Sequence, residues 1–131
     1  KLKYNPSLNS LGFLYFKMKK YDLSEKYYKE SIESEPKDFG EKFYKSEAMC
    51  NLGILYEKQG MDEPAVQYYK MGIEYNKHPR SMVHLGKFYQ SKEKLDLAKK
   101  YYQMAINEDY KPAEYLLKRL KNKTLNIKMH V

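Results

Sequence analysis

One five-residue pattern occurs three times in the same register: Leu11-Gly12-Phe13-Leu14-Tyr15, Leu52-Gly53-Ile54-Leu55-Tyr56 and Leu85-Gly86-Lys87-Phe88-Tyr89. Self-similarity of this kind commits a chain to stacked copies of one small unit, because a single copy cannot bury its apolar face alone. The match extends well past the pentad. Thirteen residues after each leucine stands a small residue (Ser24, Ala65, Ala98), and four further on a tyrosine (Tyr28, Tyr69, Tyr102). Three beyond that comes another small residue (Ser31, Gly72, Ala105). Copies two and three lie 33 residues apart, as do Pro79 and Pro112, whereas copies one and two lie 41 apart. The first junction therefore carries an insertion, residues 38–45.

Both halves of each copy read as helices. Asn5-Pro6, His78-Pro79 and Lys111-Pro112 put proline where a first helical turn tolerates its missing N–H. Asp22-x-x-Glu25 has the spacing of a capping box for a second helix, and Asp62-Glu63-Pro64 supplies an acidic helix start. Short loops make each pair antiparallel. A glycine inside every first helix costs about 1 kcal/mol relative to alanine, so its recurrence predicts close helix approach. The expected fold is all-α: an α-solenoid of three antiparallel helix-turn-helix repeats (about 5–37, 46–78 and 79–111) in one domain, 1–131. A capping helix over about 112–122 and a tail over 123–131 complete it. Residues 38–45 fit either a backward extension of the first helix of copy two or a structured loop from Lys37 to Lys45, Gly40 arguing for the loop.

Composition narrows the function classes. The 131 residues suit one domain or one short repeat array, and no apolar run approaches the roughly 18 residues of a membrane helix. Cys50 is the only cysteine, which removes an internal disulfide and points to a reducing, cytoplasmic setting. The chain starts at Lys1 and not at methionine, which reads as a segment of a longer protein. Its net charge of +8 comes almost wholly from lysine, Arg80 and Arg119 being the only arginines. Base readout favours arginine, and A/T-rich coding inflates lysine and tyrosine without function. The basic surface is therefore a weak nucleic-acid signal.

The pattern of L-G-x-x-Y in a first helix, then a small residue, an aromatic and a small residue in a second, with proline near the boundary, resembles the tetratricopeptide repeat and the related Sel-type repeats. It is met three times between about Asn5 and Lys111. Ser24, Ser31 and Gly72 stand where the family has alanine. The resemblance implies a stack whose first helices line a groove for a segment of another protein, with no catalysis. In one version of the family, asparagine and basic residues on successive first helices grip a C-terminal carboxylate. Asn51 and Arg80 match that version, whereas Asn9, Phe13 and His84 stand where lysine, asparagine and arginine are expected.

No phosphate-cradling loop, nucleophile motif or zinc helix occurs, so no enzyme activity, cofactor or metal is expected. His78, His84 and His130 lack ligand spacing, and Tyr27-Tyr28, Tyr68-Tyr69 and Tyr101-Tyr102 read as packing pairs, not a base-stacking platform. At 100° per residue, Phe39, Phe43, Glu47, Cys50 and Ile54 fall within about 80° of one another, opposite the core positions Ala48, Leu52 and Tyr56. Register places Asn9, Phe13 and Phe16 on the equivalent face of copy one, and Arg80, Val83, Lys87 and Gln90 on that of copy three. With Asn51 and His84, and without Gln90, these are the candidate peptide-binding residues. The implied partner is a protein or peptide with bulky apolar residues toward one end and acidic residues or a free carboxylate at the other. The alternatives are RNA binding through the lysine-rich surface, or a regulatory domain of a larger enzyme.

Overall fold

A computed structural model describes residues 5–130, and every regular element in them is an α-helix. In chain order these are α1 (Asn5–Lys17), α2 (Tyr21–Glu33), α3 (Phe39–Lys58), α4 (Asp62–Asn76), α5 (Pro79–Ser91), α6 (Leu95–Asn107) and α7 (Lys111–Met129). They pair as the repeat predicts, α1 with α2 and α3 with α4, each first helix followed by an antiparallel second. The contacts define two compact units, Lys1–Ser81 and Met82–Val131, a finer partition than one domain. In the first, α1 packs on α2 and α3, α2 on α3, and α3 on α4. In the second, α6 packs on α7, with Ala98, Tyr102, Leu117 and Leu120 forming its core.

The recurrent glycine and the recurrent tyrosine are two halves of one contact. A Cβ on Gly12, Gly53 or Gly86 would lie 2.6 Å from the ring of Tyr28, Tyr69 or Tyr102 respectively. Those rings are fully enclosed. Burial pushes the Tyr28 and Tyr102 hydroxyls up to about 12, so they stay neutral. Where an acceptor ends the first helix it takes the hydroxyl proton: Tyr69 donates to Glu57 at 2.8 Å and Tyr102 to Gln90 at 2.7 Å. The other tyrosine of each doublet packs on the pentad tyrosine, Tyr15 with Tyr27, Tyr56 with Tyr68, and Tyr89 with Tyr101, at centroid distances of 5.6, 5.6 and 5.8 Å. Departures from alanine also have local causes. Ser24 donates its hydroxyl proton to the Gly12 carbonyl at 2.7 Å. Gly72 has no room for a Cβ, which would meet Ser81 Oγ at 2.7 Å.

The turn inside each repeat is built on the pentad tyrosine's carbonyl. It accepts from the residue five positions on, Lys20 N–H to Tyr15, Met61 N–H to Tyr56 and Lys94 N–H to Tyr89, at 2.8–2.9 Å. This closure demands a left-handed residue at the same place each time: Lys19 (φ 60°), Gly60 (φ 76°) and Glu93 (φ 59°). Glycine meets that demand without cost, whereas an L side chain there loses about 1–2 kcal/mol. Lys19→Gly and Glu93→Gly should therefore each stabilise by about 0.5–1 kcal/mol after the entropy of an added glycine is subtracted. Chemical denaturation checks it. A loss in both variants would mean that these turns carry no strain.

Several expectations change. Asp22 and Glu25 form no capping box: α2 starts at Tyr21 with Lys20 before it and no side-chain cap. Glu25 instead pairs with Lys29 at 2.8 Å and accepts the Tyr56 hydroxyl proton, tying α2 to α3. The same Asp-x-x-Glu spacing works at the insertion. Asp38 accepts from Glu41 N–H at 2.9 Å while the Glu41 carboxylate accepts from Lys37 N–H at 2.6 Å, so residues 39–45 are the first turns of α3 and not a loop. No close approach requires glycine at position 40, where a Cβ would meet only Asp38 Oδ1 at 3.3 Å. Finally, α7 continues to Met129 where a tail was expected from 123. Its buried residues, Ala113, Leu117 and Leu120, lie four and three positions apart on one face. Val131 lies outside the described residues.

Candidate functional site

The capped start of α3 carries its aromatic residues into solvent. Phe39 is 81% exposed and Phe43 47%, with Lys42 Nζ 5.9 Å from the Phe39 ring centroid. On α1, Phe13 is 48% exposed, and Lys17 sits over it at 5.3 Å. Exposed aromatics of this size on neighbouring helices are the unusual feature of the first unit, since scattered single apolar residues would need no explanation.

Between these aromatics runs a connected set of polar side chains. Asn51 donates its amide to Asn9 Oδ1 at 2.9 Å, and Arg80 Nη1 donates to Asn51 Oδ1 at 2.9 Å. The same Nη1 lies 3.4 Å from Glu47 Oε1. Glu47 Oε2 in turn is 2.5 Å from His78 Nε2. His78 is only 2% exposed, and both of its ring nitrogens are engaged. Ser81 N–H donates to Nδ1 at 3.3 Å and the Ser81 hydroxyl lies 2.8 Å from the same atom. A backbone N–H can only donate, so Nδ1 is the acceptor and Nε2 carries the proton toward Glu47. His78 thus caps α5 as an asparagine or aspartate would. The Phe43 ring meets the His78 ring edge-on, centroids 6.0 Å apart.

Asn9, Phe43, Glu47, Asn51 and Arg80 are therefore joined through side-chain contacts in the first unit, with Phe13 one turn from Asn9 on α1 and Phe39 one turn from Phe43 on α3. Ile54 is half-buried. Phe16 is half-buried against Tyr21, 5.9 Å between centroids. Two candidates are corrected. Cys50 is completely enclosed, and burial pushes its thiol up to about 12, so it reaches no ligand. Val83 is 5% exposed and belongs to the core. In the second unit His84 is half-buried and Lys87 exposed. His78 and Ser81 were missed as a polar pair, although a side-chain acceptor before Pro79, three residues ahead of Ser81, is the spacing of an N-cap.

Arg80 is one-third exposed, and both of its bonds leave through Nη1. The rest of its guanidinium edge, Nε and Nη2, remains a donor pair suited to a carboxylate. Glu47 does not saturate Arg80, because its nearer oxygen contact is the histidine. Among the described residues no three His, Cys, Asp or Glu side chains converge as a metal-holding group. No described helix is long and apolar enough to cross a membrane.

Comparison with known proteins agrees with the repeat fold. No curated protein matches the chain. Among solved structures, the crystal structure of MamA superposes with a TM-score of 0.67 at 22% identity, over 86% of this chain and 63% of MamA, so the chain spans under two thirds of that protein. That likeness concerns the fold. Two family models described as tetratricopeptide repeat match, one over residues 5–78 and one over 79–112. Because the first covers more than half of the chain and carries the Gly–Tyr pairs of copies one and two, the chain belongs to the tetratricopeptide repeat family.

Proposed function

We propose that this chain is a non-catalytic protein-interaction module that holds a peptide segment against the α1–α3 face of its first unit. Tetratricopeptide repeats are in general protein–protein interaction modules. The single observation that supports the finer reading is the adjacency of exposed aromatics and a half-engaged arginine. Phe13, Phe43 and Phe39 offer apolar contacts, and Arg80, held by Asn51, offers an aimed donor edge. The ligand suited to it carries a bulky apolar residue near an acidic side chain or a terminal carboxylate. The amide chain Asn9–Asn51 lies between and suits a peptide backbone, since an amide both donates and accepts. The RNA alternative lacks its aromatic platform, because all three tyrosine doublets are consumed by glycine contacts and tyrosine pairs.

The experiment is selection of displayed peptides against the purified chain, followed by titration of one selected peptide with a free and an amidated C-terminus. Phe13→Ala and Phe43→Ala should each cost about 2 kcal/mol of binding where the ring is an anchor. Arg80→Glu should weaken binding and flatten its salt dependence. Helicity is checked first in each variant. Parent-like affinity in all three would remove the α1–α3 face as the site.

A further inference from the structure

The fourth copy of the repeat begins at Lys111-Pro112 and then departs from it. Counting 33 from the third pentad leads to Lys118-Arg119-Leu120-Lys121-Asn122. Arg119 stands where each earlier copy has no room for even a Cβ against its tyrosine, so no second helix can close on α7 in that way. The helix turns a different set inward, Ala113, Leu117 and Leu120, and it runs 19 residues against 13 for α5 and α6. Along its length a cleft of about 710 Å³ opens, walled by α7, the end of α5 and the start of α6.

The chemistry of this cleft is asymmetric. Leu95, Leu116 and Ile127 supply apolar surface, and Lys87 and Lys123 supply charge, against Glu93 as the one acidic residue among those lining it. An adjoining recess of about 450 Å³ shares Leu116 and Lys123 and adds Arg119, Asn122 and Asn126. Between residues 118 and 128 α7 bears five cations and no acid. We infer that this cleft is a docking site for an acidic peptide segment that inserts one bulky apolar side chain. Positive rim and apolar floor complement such a segment in both respects, and the amides of Asn122 and Asn126 can pair with its backbone. A nucleic acid would find phosphate contacts here but nothing to stack on. The one ring lining the cleft, Tyr102, is packed beneath Gly86 with its hydroxyl bound to Gln90.

The inference is independent of the Phe43–Arg80 face, and its test keeps the two apart. Two capped hexapeptides serve as probes, one with leucine and phenylalanine flanked by glutamates and one with the same pair flanked by lysines. Each is titrated into isotope-labelled full chain and followed by NMR shifts. The acidic probe should shift Lys87, Leu116, Lys123 and Ile127 saturably, and the basic probe should not. Lys123→Glu and Ile127→Ser, both at exposed positions, should each weaken binding about ten-fold with helicity unchanged, while Arg80→Glu should leave it intact. Equal response to both probes, shifts confined to the first unit, or parent-like affinity in both cleft variants would overturn the proposal. So would saturable binding of oligouridylate at these residues without binding of the acidic probe.

Discussion

Truncating Tyr69 to alanine should lower the unfolding free energy by about 3–5 kcal/mol, the range for an enclosed aromatic. Replacing Gly53 by leucine should cost about 1–3 kcal/mol through overpacking. Both values follow from one geometry: the Tyr69 ring has no solvent exposure, and a Cβ on Gly53 would meet it at 2.6 Å with the Ala65 carbonyl at 3.1 Å behind. The ring has nowhere to go. Combining the two changes should therefore cost less than their sum, since the leucine enters space the ring has left. A coupling of about 0.5–3 kcal/mol is expected for residues in contact. Tyr69→Phe separates packing from hydrogen bonding. It keeps the ring and removes the bond to Glu57, an exposed acceptor that water can satisfy, so its cost should stay below about 1.5 kcal/mol. Gly40→Ala is the control, because a Cβ there meets only a flexible carboxylate oxygen at 3.3 Å and gains helix propensity. Urea denaturation of the five variants measures all of this, and strict additivity of Gly53→Leu with Tyr69→Ala would refute the contact.

The repeat was legible because its packing is written twice, as a glycine column and as a tyrosine column, each recurring at fixed spacing. That the two columns meet was not legible. A spacing of sixteen residues across a turn has no meaning until the hairpin closes. The candidate site was read with a helical wheel, which knows angle but not depth. Phe43 and Cys50 lie close together on the wheel, yet Phe43 is 47% exposed and Cys50 not at all. The difference is position along the axis, since the first turns of the 20-residue α3 precede the stretch that its shorter partners cover. Val83, on the equivalent face of α5 by the same wheel, is 5% exposed. Asp22 and Asp38 teach a further limit of pattern reading: both precede a glutamate by three, and only Asp38 sits at a helix boundary. The left-handed turn at Lys19 starts α2 before Asp22 can cap it.

Replacing His78 by alanine should cost about 2–4 kcal/mol. Two separable losses add. The cap on α5 disappears, since Nδ1 no longer accepts from Ser81 N–H, and loss of an N-cap costs about 1 kcal/mol. The Glu47 carboxylate also loses its 2.5 Å bond to Nε2 while four-fifths buried, and a lost hydrogen bond to a charged group costs about 1.5–3 kcal/mol. His78→Asn should restore the first loss and not the second, because an asparagine can cap a helix but is too short to reach α3. Adding Glu47→Ala to His78→Ala should remove much of the second, as the carboxylate that lost its bond is then gone as well. The ordering expected in denaturation is parent, His78→Asn, then His78→Ala, with the double variant costing less than its two parts together. The same variants bear on binding. Without His78, Glu47 is free to close fully on Arg80, whose present contact with it is the longer 3.4 Å. An acidic ligand would then compete with an internal carboxylate, and its affinity for His78→Asn should fall although no residue of the exposed face has changed. Unchanged affinity alongside lost stability would confine His78 to holding the helices together.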